Sequence, residues 1–464
     1  MTPRIDALPY RPDGADYFES IADLPWAVFL DSGPPEGRRG RWDILAAAPR
    51  ATFVTRGDTT TISTAQADEV SLADPLALLR AALPVGGGEA ELALPFCGGA
   101  IGYFAYDLGR RWLGLPSRAG DTGLPDMATG IYDWAVLLDH DTARAWLVGD
   151  AGRVEDAEWR RWRAHFQASA EPVVRPALRR TGPIRANLDP AAYCAAFERV
   201  QAYIRAGDCY QVNLALRFGA PVTGDPWSAY RRLRARSPAP HGAFMRLPFA
   251  AVLSNSPERF LRVCDGRVET RPIKGTRPRR ADPRADAAEA EALLVSGKDR
   301  AENLMIVDLL RNDLGKVCDT GTVRVEQLFG LESYANVHHL VSAVGGDLRH
   351  GLDGLDALRA AFPGGSITGA PKLRAMQIID ELEPSRRDLY CGSIGHVGAG
   401  GDLDSSIAIR TLVVADGEAR FSAGGGIVAD SDWQREYREC LDKAAPMFEL
   451  LDADPHMGDV AGLG

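Results

Sequence analysis

The sequence predicts an α+β fold in which antiparallel strands outnumber helices, and three observations carry that reading. Short apolar stretches are separated by brief turns rich in Gly, Pro, Asp or Arg, too short for the crossover that a parallel pair needs. Helical stretches stand apart from them and two open on Asp-Pro, at Asp74 and Asp189, an N-cap acceptor followed by a residue pre-set for the first turn. At 464 residues the chain exceeds one ordinary hydrophobic core, which points to two or three domains or one large two-layer unit.

Composition narrows the function. An apolar share of 45% with 25% charged residues is that of a soluble globular protein. The net charge of −10 speaks against a nucleic-acid binder, so an anionic substrate would need a locally positive pocket or a metal. Seven cysteines, scattered and never in a C-x-x-C pair, signal neither a zinc site nor a disulfide framework and fit a reducing cytoplasm. The N-terminal stretch lacks the apolar core of a signal peptide, and no run approaches the ~20 apolar residues of a membrane span.

Taken in order, residues 26–30 and 44–54 read as strands around a Gly/Pro/Arg-rich turn at 33–40, and 74–83 as a helix. Residues 95–111 read as a glycine-eased strand running into a polar turn, and 131–140 as a strand. A helix is expected over 156–169, then a proline-rich linker at about 170–188, dividing an N-terminal region (1–170) from a second region (188–452). The second region opens with a capped helix ending at Gly207, a strand at 210–218 and a helix at 226–235. Strands follow at 242–247, 250–254 and, after the hairpin signal Asp265-Gly266, 267–273. Residues 281–314 show one long helical pattern, 364–383 a glycine-rich loop entering a helix near Pro371, 405–414 a strand, and 431–451 the last helix.

Several residues stand out chemically. Lys274 sits in TRPIKGTRP between Pro272 and Pro278, a rigid segment that presents an amine; it is a nucleophile if its pKa is lowered and a solvated loop lysine otherwise. Glu302 falls in register with Met305, Ile306 and Leu309, so its carboxylate lies on the apolar face and needs a cation, either a metal or Arg300 or Arg311. Arg410, on the strand face shared with Ala408 and Leu412, suits bidentate capture of a carboxylate or an internal ion pair. The loop from Gly364 offers backbone N–H groups to an anion but is not a Walker loop. Gly424, Gly425 and Gly426 allow close backbone approach to a ligand or form a plain bulge. On the last helix Glu436, Glu439 and Lys443 border the apolar stripe, and with Glu302 they offer an oxygen-rich site suited to Mg²⁺.

The motifs SPERF (256–260), RPIKGTRPR (271–279), KDRAENLMIVDLLRND (298–313), VHHLVS (337–342), GGSITGAPKLRAMQIIDELEP (364–384), IAIRT (407–411) and SAGGGIVADS (422–431) together resemble component I of the chorismate-utilising enzymes. They cover the C-terminal half almost continuously; RWDI, GGAIGYFAYDLGRR and LPDMATGIYDWA extend the likeness more loosely through the N-terminal half. Gln211 stands where the water-using relatives carry a lysine base, which is similar to the ammonia-using branch. Within that branch PIKGT, with Lys274, differs from the PIAGT of anthranilate synthases.

The resemblance implies a large α+β fold of two antiparallel sheets packed as a sandwich with helices outside, both halves of the chain contributing strands to each sheet, so that the linker becomes a surface excursion. It implies amination of chorismate at C4 to 4-amino-4-deoxychorismate, on the route to 4-aminobenzoate and folate. Lys274 would be the covalent nucleophile and Glu258 the general acid, with Mg²⁺ held by Glu302 and Glu439. Gln211, Ser366, Tyr390, Arg410, the backbone of Gly424 to Gly426 and Lys443 would contact substrate, and His339 is a site residue without an assigned role. A separate glutamine amidotransferase subunit would supply ammonia, since no glutaminase elbow surrounds Cys97. Tryptophan near Ser32 and Arg41 is a further ligand that relatives suggest. The competing readings are an anthranilate synthase large subunit, which Lys274 disfavours, and a non-catalytic homologue, which the joint presence of Glu258, Lys274, Glu302 and Glu439 disfavours.

Overall fold

The structure is a computed structural model that describes residues 3–36, 40–84, 94–120, 122–168, 173–334, 337–454 and 460–461. Parts of the expected 33–40 turn and of the expected linker, residues 37–39 and 170–172, lie outside the described residues.

Two large sheets form the framework, and nearly all their pairings are antiparallel, as the short turns predict. The larger one runs Pro3–Leu8, Arg144–Asp150, Trp134–Asp139, Trp42–Ala46, Ala27–Asp31, His241–Leu247, Ala250–Ser256, Thr411–Ala415, Glu418–Ile427, Gln211–Thr223 and Ile184–Ala186, with Val460–Ala461 at its end. That last contact is parallel. The second runs Ile273–Pro278, Val337–Asp347, Arg267–Thr270, Arg259–Cys264, Leu403–Ile407, Ser393–Gly398, Gly99–Phe104, Met127–Tyr132, Ala51–Arg56, Thr59–Thr64 and Asp68–Ser71. Strands from before and after residue 170 therefore enter both sheets.

Alternation along the strands builds three apolar layers. Val28, Ile44, Met245 and Val252 of the larger sheet meet Ile101, Tyr103, Ala128 and Ile394 of the second. The outer face of the larger sheet is covered by helices Pro190–Arg205, Pro226–Arg236 and Trp433–Leu450 through Tyr193, Trp227 and Phe448. The second sheet is covered by Pro75–Ala82, Gly297–Gly315 and Gly354–Ala361 through Leu79, Val307 and Leu358. Asp74, Asp189 and Asp225 accept the first free N–H groups of their helices, each followed by proline.

Six expectations need correction, two of them simple divisions: 44–54 falls into Trp42–Ala46 of the larger sheet and Ala51–Arg56 of the second, and 267–273 into Arg267–Thr270 and Ile273–Pro278. The polar turn after 104 contains a short helix, Leu108–Leu113. Residues 131–140 belong to two strands, split at Asp133 between Met127–Tyr132 and Trp134–Asp139. The pattern over 281–314 is two helices, Pro283–Val295 and Gly297–Gly315, because Ser296 takes extended backbone and caps the second by accepting from Asp299 N–H. The 405–414 strand is two strands in different sheets, Leu403–Ile407 and Thr411–Ala415, and the intervening residues carry the chain from one sheet to the other. Arg410 is thus on a crossover, with φ of +49°, and not on a strand face.

Candidate active site

A cleft of about 660 Å³ opens where the two sheets part, walled by strands Ile273–Pro278 and Glu418–Ile427, the turn Gly365–Ile367, helices Gly297–Gly315 and Trp433–Leu450, and the crossover at Arg410. It gathers Lys274, Glu258, Glu302, Glu439, Ser366, Tyr390, Arg410, Gly424, Gly426, Lys443 and His339 from across the second half of the chain.

Lys274 is presented by a bulge. The pairing of Ile273–Pro278 with Val337–Asp347 slips between Ile273 and Thr276, leaving Lys274 and Gly275 out of the ladder, and Gly275 takes φ of +83°. A bulge re-aims the side chain of its extra residue. Here the amine Nζ lies 3.3 Å from the Ser366 carbonyl oxygen. Burial lowers its pKa and the Lys443 cation adds to that, while Glu302 and Glu258 pull the other way; the balance is a lowered value. Glu258 is buried at 6% exposure and moves oppositely. Burial raises its pKa against the hydroxyl of Ser366, which donates to Oε1 at 2.8 Å, and against the Lys274 charge. One cleft thus holds an amine inclined to be neutral and a carboxyl inclined to be protonated, both in contact with Ser366.

The opposite wall is acidic. Glu302 stands at the border of its helix's buried face, whose centre is Asn303, Ile306, Val307 and Leu310. Its near cation is Lys298 at 3.8 Å, not Arg300 or Arg311. Burial raises its pKa and that of Glu436, and the Glu439 carboxylate raises both further. Glu436 accepts from Ser431 Oγ at 2.7 Å. Glu439 is half accessible to the open cleft; burial would raise it, but Lys443 at 2.6 Å holds its pKa down overall. Lys443 Nζ also donates to the Gly424 carbonyl at 3.0 Å, tying the last helix to the glycine strand. Among the described residues the group with three ligand atoms within 4.8 Å of one another is Cys264, Asp265 and Asp402, outside the cleft.

A guanidinium and a neutral imidazole occupy the remaining side. Arg410 faces the cleft, and burial alone perturbs its guanidinium; no carboxylate acts on it among the described residues. The ion-pair alternative for Arg410 therefore fails, and the free fork is available to an anion. His339 accepts or donates at Nδ1 with Thr276 Oγ1 at 2.9 Å, and burial together with Arg410 pushes its pKa down to about 4, so the ring is neutral near pH 7.

Two expected positions fall outside the lining. Gln211 is fully buried behind the glycine strand and does not line the cleft; a Cβ on Gly426 would come within 2.5 Å of its Nε2. Gly425 points its missing side chain at Glu436 Oε2, away from the lining. Ser32 Oγ is committed to Asp43 at 2.7 Å and Arg41 to Asp139 at 2.7 Å, so the polar groups expected around tryptophan are engaged internally. Sequence reasoning missed Asn213, two residues along the same strand face as Gln211, which reaches the lining and whose Oδ1 has no partner among the described residues. The i, i+2 relation to Gln211 was the available signal.

Comparison with known proteins gives a concordant answer. A family model described as chorismate binding enzyme matches residues 27–449. Aminodeoxychorismate synthase component 1 of Klebsiella aerogenes is 50% identical over 457 residues, covering 98% of this chain and all of that protein. The Escherichia coli protein of the same name is 46% identical over 461 residues, covering 97% and 99%. Among solved structures, anthranilate synthase component I from Streptococcus pneumoniae superposes with a TM-score of 0.78 at 33% identity, over 88% of this chain and 92% of that one.

Proposed function

The chain belongs to the chorismate binding enzyme family, and on that premise we propose that it aminates chorismate at C4, giving 4-amino-4-deoxychorismate on the route to 4-aminobenzoate and folate. The observation that carries this reading is the pairing of Lys274 with Glu258 about Ser366, with proton affinities pushed in opposite directions.

Neutral Lys274 attacks ring C2; the ring double bonds shift, and the C4 hydroxyl leaves as water with the proton of Glu258. Ammonia then adds at C4, the C2–N bond breaks, and the amine of Lys274 is regenerated while Glu258 recovers a proton from the new ammonium. Splitting the substitution in this way replaces one difficult displacement by two easier ones. Arg410, on which no carboxylate acts among the described residues, takes the enolpyruvyl carboxylate with Tyr390 beside it. Ser366 orients both reacting groups, accepting from one and donating to the other.

The acidic wall suits Mg²⁺. Glu302 and Glu439 both line the cleft and both act electrostatically on Lys274, and two carboxylates would leave the remaining positions of this ion to the waters and substrate oxygens that it keeps. Bound there, Mg²⁺ would neutralise the ring carboxylate of chorismate. Glu436, more buried than Glu439 and hydrogen-bonded to Ser431, supports that wall from behind.

Ammonia would come from a separate glutamine amidotransferase subunit, with free ammonium as its substitute. We place the enzyme in the cytoplasm, since all seven cysteines are unpaired and no helix among the described residues is long and apolar enough to cross a membrane. Intact mass measurement after incubation with chorismate and Mg²⁺, without ammonia, tests the mechanism. The expected product is a chorismate-minus-water adduct on Lys274 that is absent from Lys274→Ala. An adduct elsewhere, or undiminished turnover in that variant, contradicts it; anthranilate and pyruvate as products would assign the chain to the other branch.

A further inference from the structure

Behind the cleft lies a buried ion pair that takes no part in the chemistry above. Arg387 and Glu383 are 2% and 5% exposed, and the guanidinium spans the carboxylate with Nε to Oε2 at 2.9 Å and Nη2 to Oε1 at 2.7 Å. Burying two charges this deeply is costly unless every remaining donor and acceptor finds a partner. Here the leftover capacity goes almost wholly to segments that carry the active site. Arg387 Nη1 donates to the Ile367 carbonyl at 2.9 Å, one residue beyond Ser366. Nη2 also donates to the Asn213 carbonyl at 2.7 Å, on the strand whose side chain lines the cleft. Glu383 Oε1 accepts the Ala215 N–H at 3.0 Å, two residues further along the same strand. The Arg387 carbonyl accepts the Tyr390 N–H at 3.0 Å, and the guanidinium lies 5.7 Å from the centre of the Tyr390 ring and 4.8 Å from that of Tyr106.

Three pieces of the cleft therefore converge on this pair: the Ser366 turn, the Asn213 strand, which already meets the segment after that turn through Asn213 N–H to the Thr368 carbonyl at 2.8 Å, and the Tyr390 loop. The Tyr390 loop and the Ser366 turn need it most. The loop takes positive φ at Asp388 and Cys391, +53° and +65°, on either side of Tyr390, a conformation that persists only where its surroundings over-determine it. The turn Gly365–Ile367 is a single 3₁₀ turn with no side-chain cap.

We infer that Arg387 and Glu383 act together as a positioning pair for the amination reaction, fixing Ser366, and through it Lys274 and Glu258, relative to the Tyr390 side of the bound substrate. Neither residue touches substrate. The inference rests on the function proposed above, because it assigns the pair a role in that reaction.

A fully buried pair invites the objection that any change merely unfolds the protein. Replacing both charges by apolar side chains of similar volume is the way round this, since such exchanges are often neutral for stability whereas removing one partner is not. The test is therefore the double variant Arg387→Met with Glu383→Leu, together with Arg387→Lys, each compared with the parent enzyme for thermal midpoint, secondary structure, and kcat and KM for chorismate with Mg²⁺ and ammonium. The expected result is a double variant that still melts cooperatively, at a lowered temperature because the Ile367 and Asn213 carbonyls and the Ala215 N–H lose these partners, yet has kcat reduced about 100-fold, the size of effect that a displacement of about 1 Å in the reacting groups produces. KM for chorismate rises much less, because Arg410 is untouched. Arg387→Lys, which can keep the charge but only part of the fork, lies between the two. A folded double variant with kcat within threefold of the parent overturns the inference. If the double variant does not fold, Arg387→Lys decides: unchanged kcat in a folded Arg387→Lys overturns it, and a fall in kcat exceeding the change in KM upholds it. Should the parent itself make no aminated product, the functional proposal fails first, which separates the two failures.

Discussion

At the scale of single residues, the pH profile reports on two groups shifted toward each other. Lys274 must be neutral to attack, so the rate rises with pH through its lowered pKa; Glu258 must be protonated to release the hydroxyl, so the rate falls as pH rises past its raised pKa. The product of the two fractions is a bell in kcat/KM. In Glu258→Gln only the lysine titrates, so the alkaline fall disappears while the residual activity, expected to drop about 10²- to 10⁴-fold, still declines toward acid. A bell of unchanged shape in that variant, measured across pH 5 to 10 with ammonia itself saturating, would remove Glu258 from the role of acid. The residues alone left this chemistry open, since Lys274 also read as a solvated loop lysine and Glu302 and Arg410 as members of internal ion pairs; it was the motif resemblance that singled out Glu258 and joined the four. At Gln211 the same resemblance misled. An amide can be buried without a ligand, and whether it reaches a cleft depends on what covers it, here Gly426 and the segment Gly369–Ala370.

At the scale of elements, the strand Glu418–Ile427 shows what three consecutive glycines accomplish. A Cβ on Gly424 would stand 2.7 Å from the Leu214 carbonyl oxygen and 3.0 Å from Ala215 Cα, so the neighbouring strand would have to move. A Cβ on Gly425 would meet Glu436 Oε2 alone, at 2.8 Å, and that is the end of a flexible side chain. Gly424→Ala should therefore cost about 1–3 kcal/mol and raise KM for chorismate at least tenfold, because Lys443 is hydrogen-bonded to that residue's carbonyl. Gly425→Ala should be close to neutral in stability. Urea denaturation of the two variants compares them directly, and equal losses would show that the strand yields as a whole. The helices at 75–82, 190–205, 226–236 and 433–450 were readable from caps and periodicity, whereas Leu108–Leu113 and Gly354–Ala361 were not, and the break at Ser296 was signalled by Ser296, Gly297 and Asp299 in sequence. The break at Arg410 was not. Alternation of apolar residues continues through 405–414 although the chain changes sheets, since both strands face apolar layers and the pattern is blind to which one.

At the scale of the whole molecule, the interleaving of the two chain halves in both sheets has no local signature, because strand order is decided by partners hundreds of residues away. It does leave a thermodynamic one. His241, half-buried on a strand of the larger sheet, feels Arg259 and Asp404 of the second, and desolvation, reinforced by Arg259 and opposed by Asp404, pushes its pKa down to about 4. An unfolded histidine titrates near 6.5, so between pH 6.5 and 4 the unfolded chain binds a proton that the native state refuses. Native stability contributed by the neutral ring is present above pH 6.5, is lost as pH falls through that window and is gone below it. The full shift corresponds to about 3 kcal/mol, reduced by whatever water reaches the ring. Asp388 works against this trend. Its folded pKa is raised to about 6 by burial, so the native state gains protons over the unfolded chain as pH falls toward 4. Measured by urea denaturation between pH 7 and 4, His241→Asn should lose less stability on acidification than the parent, and Asp388→Asn should lose more. If His241→Asn tracks the parent across the window, the imidazole is not held neutral at the junction of the sheets, and the acid sensitivity of the fold has to come from the carboxylates alone.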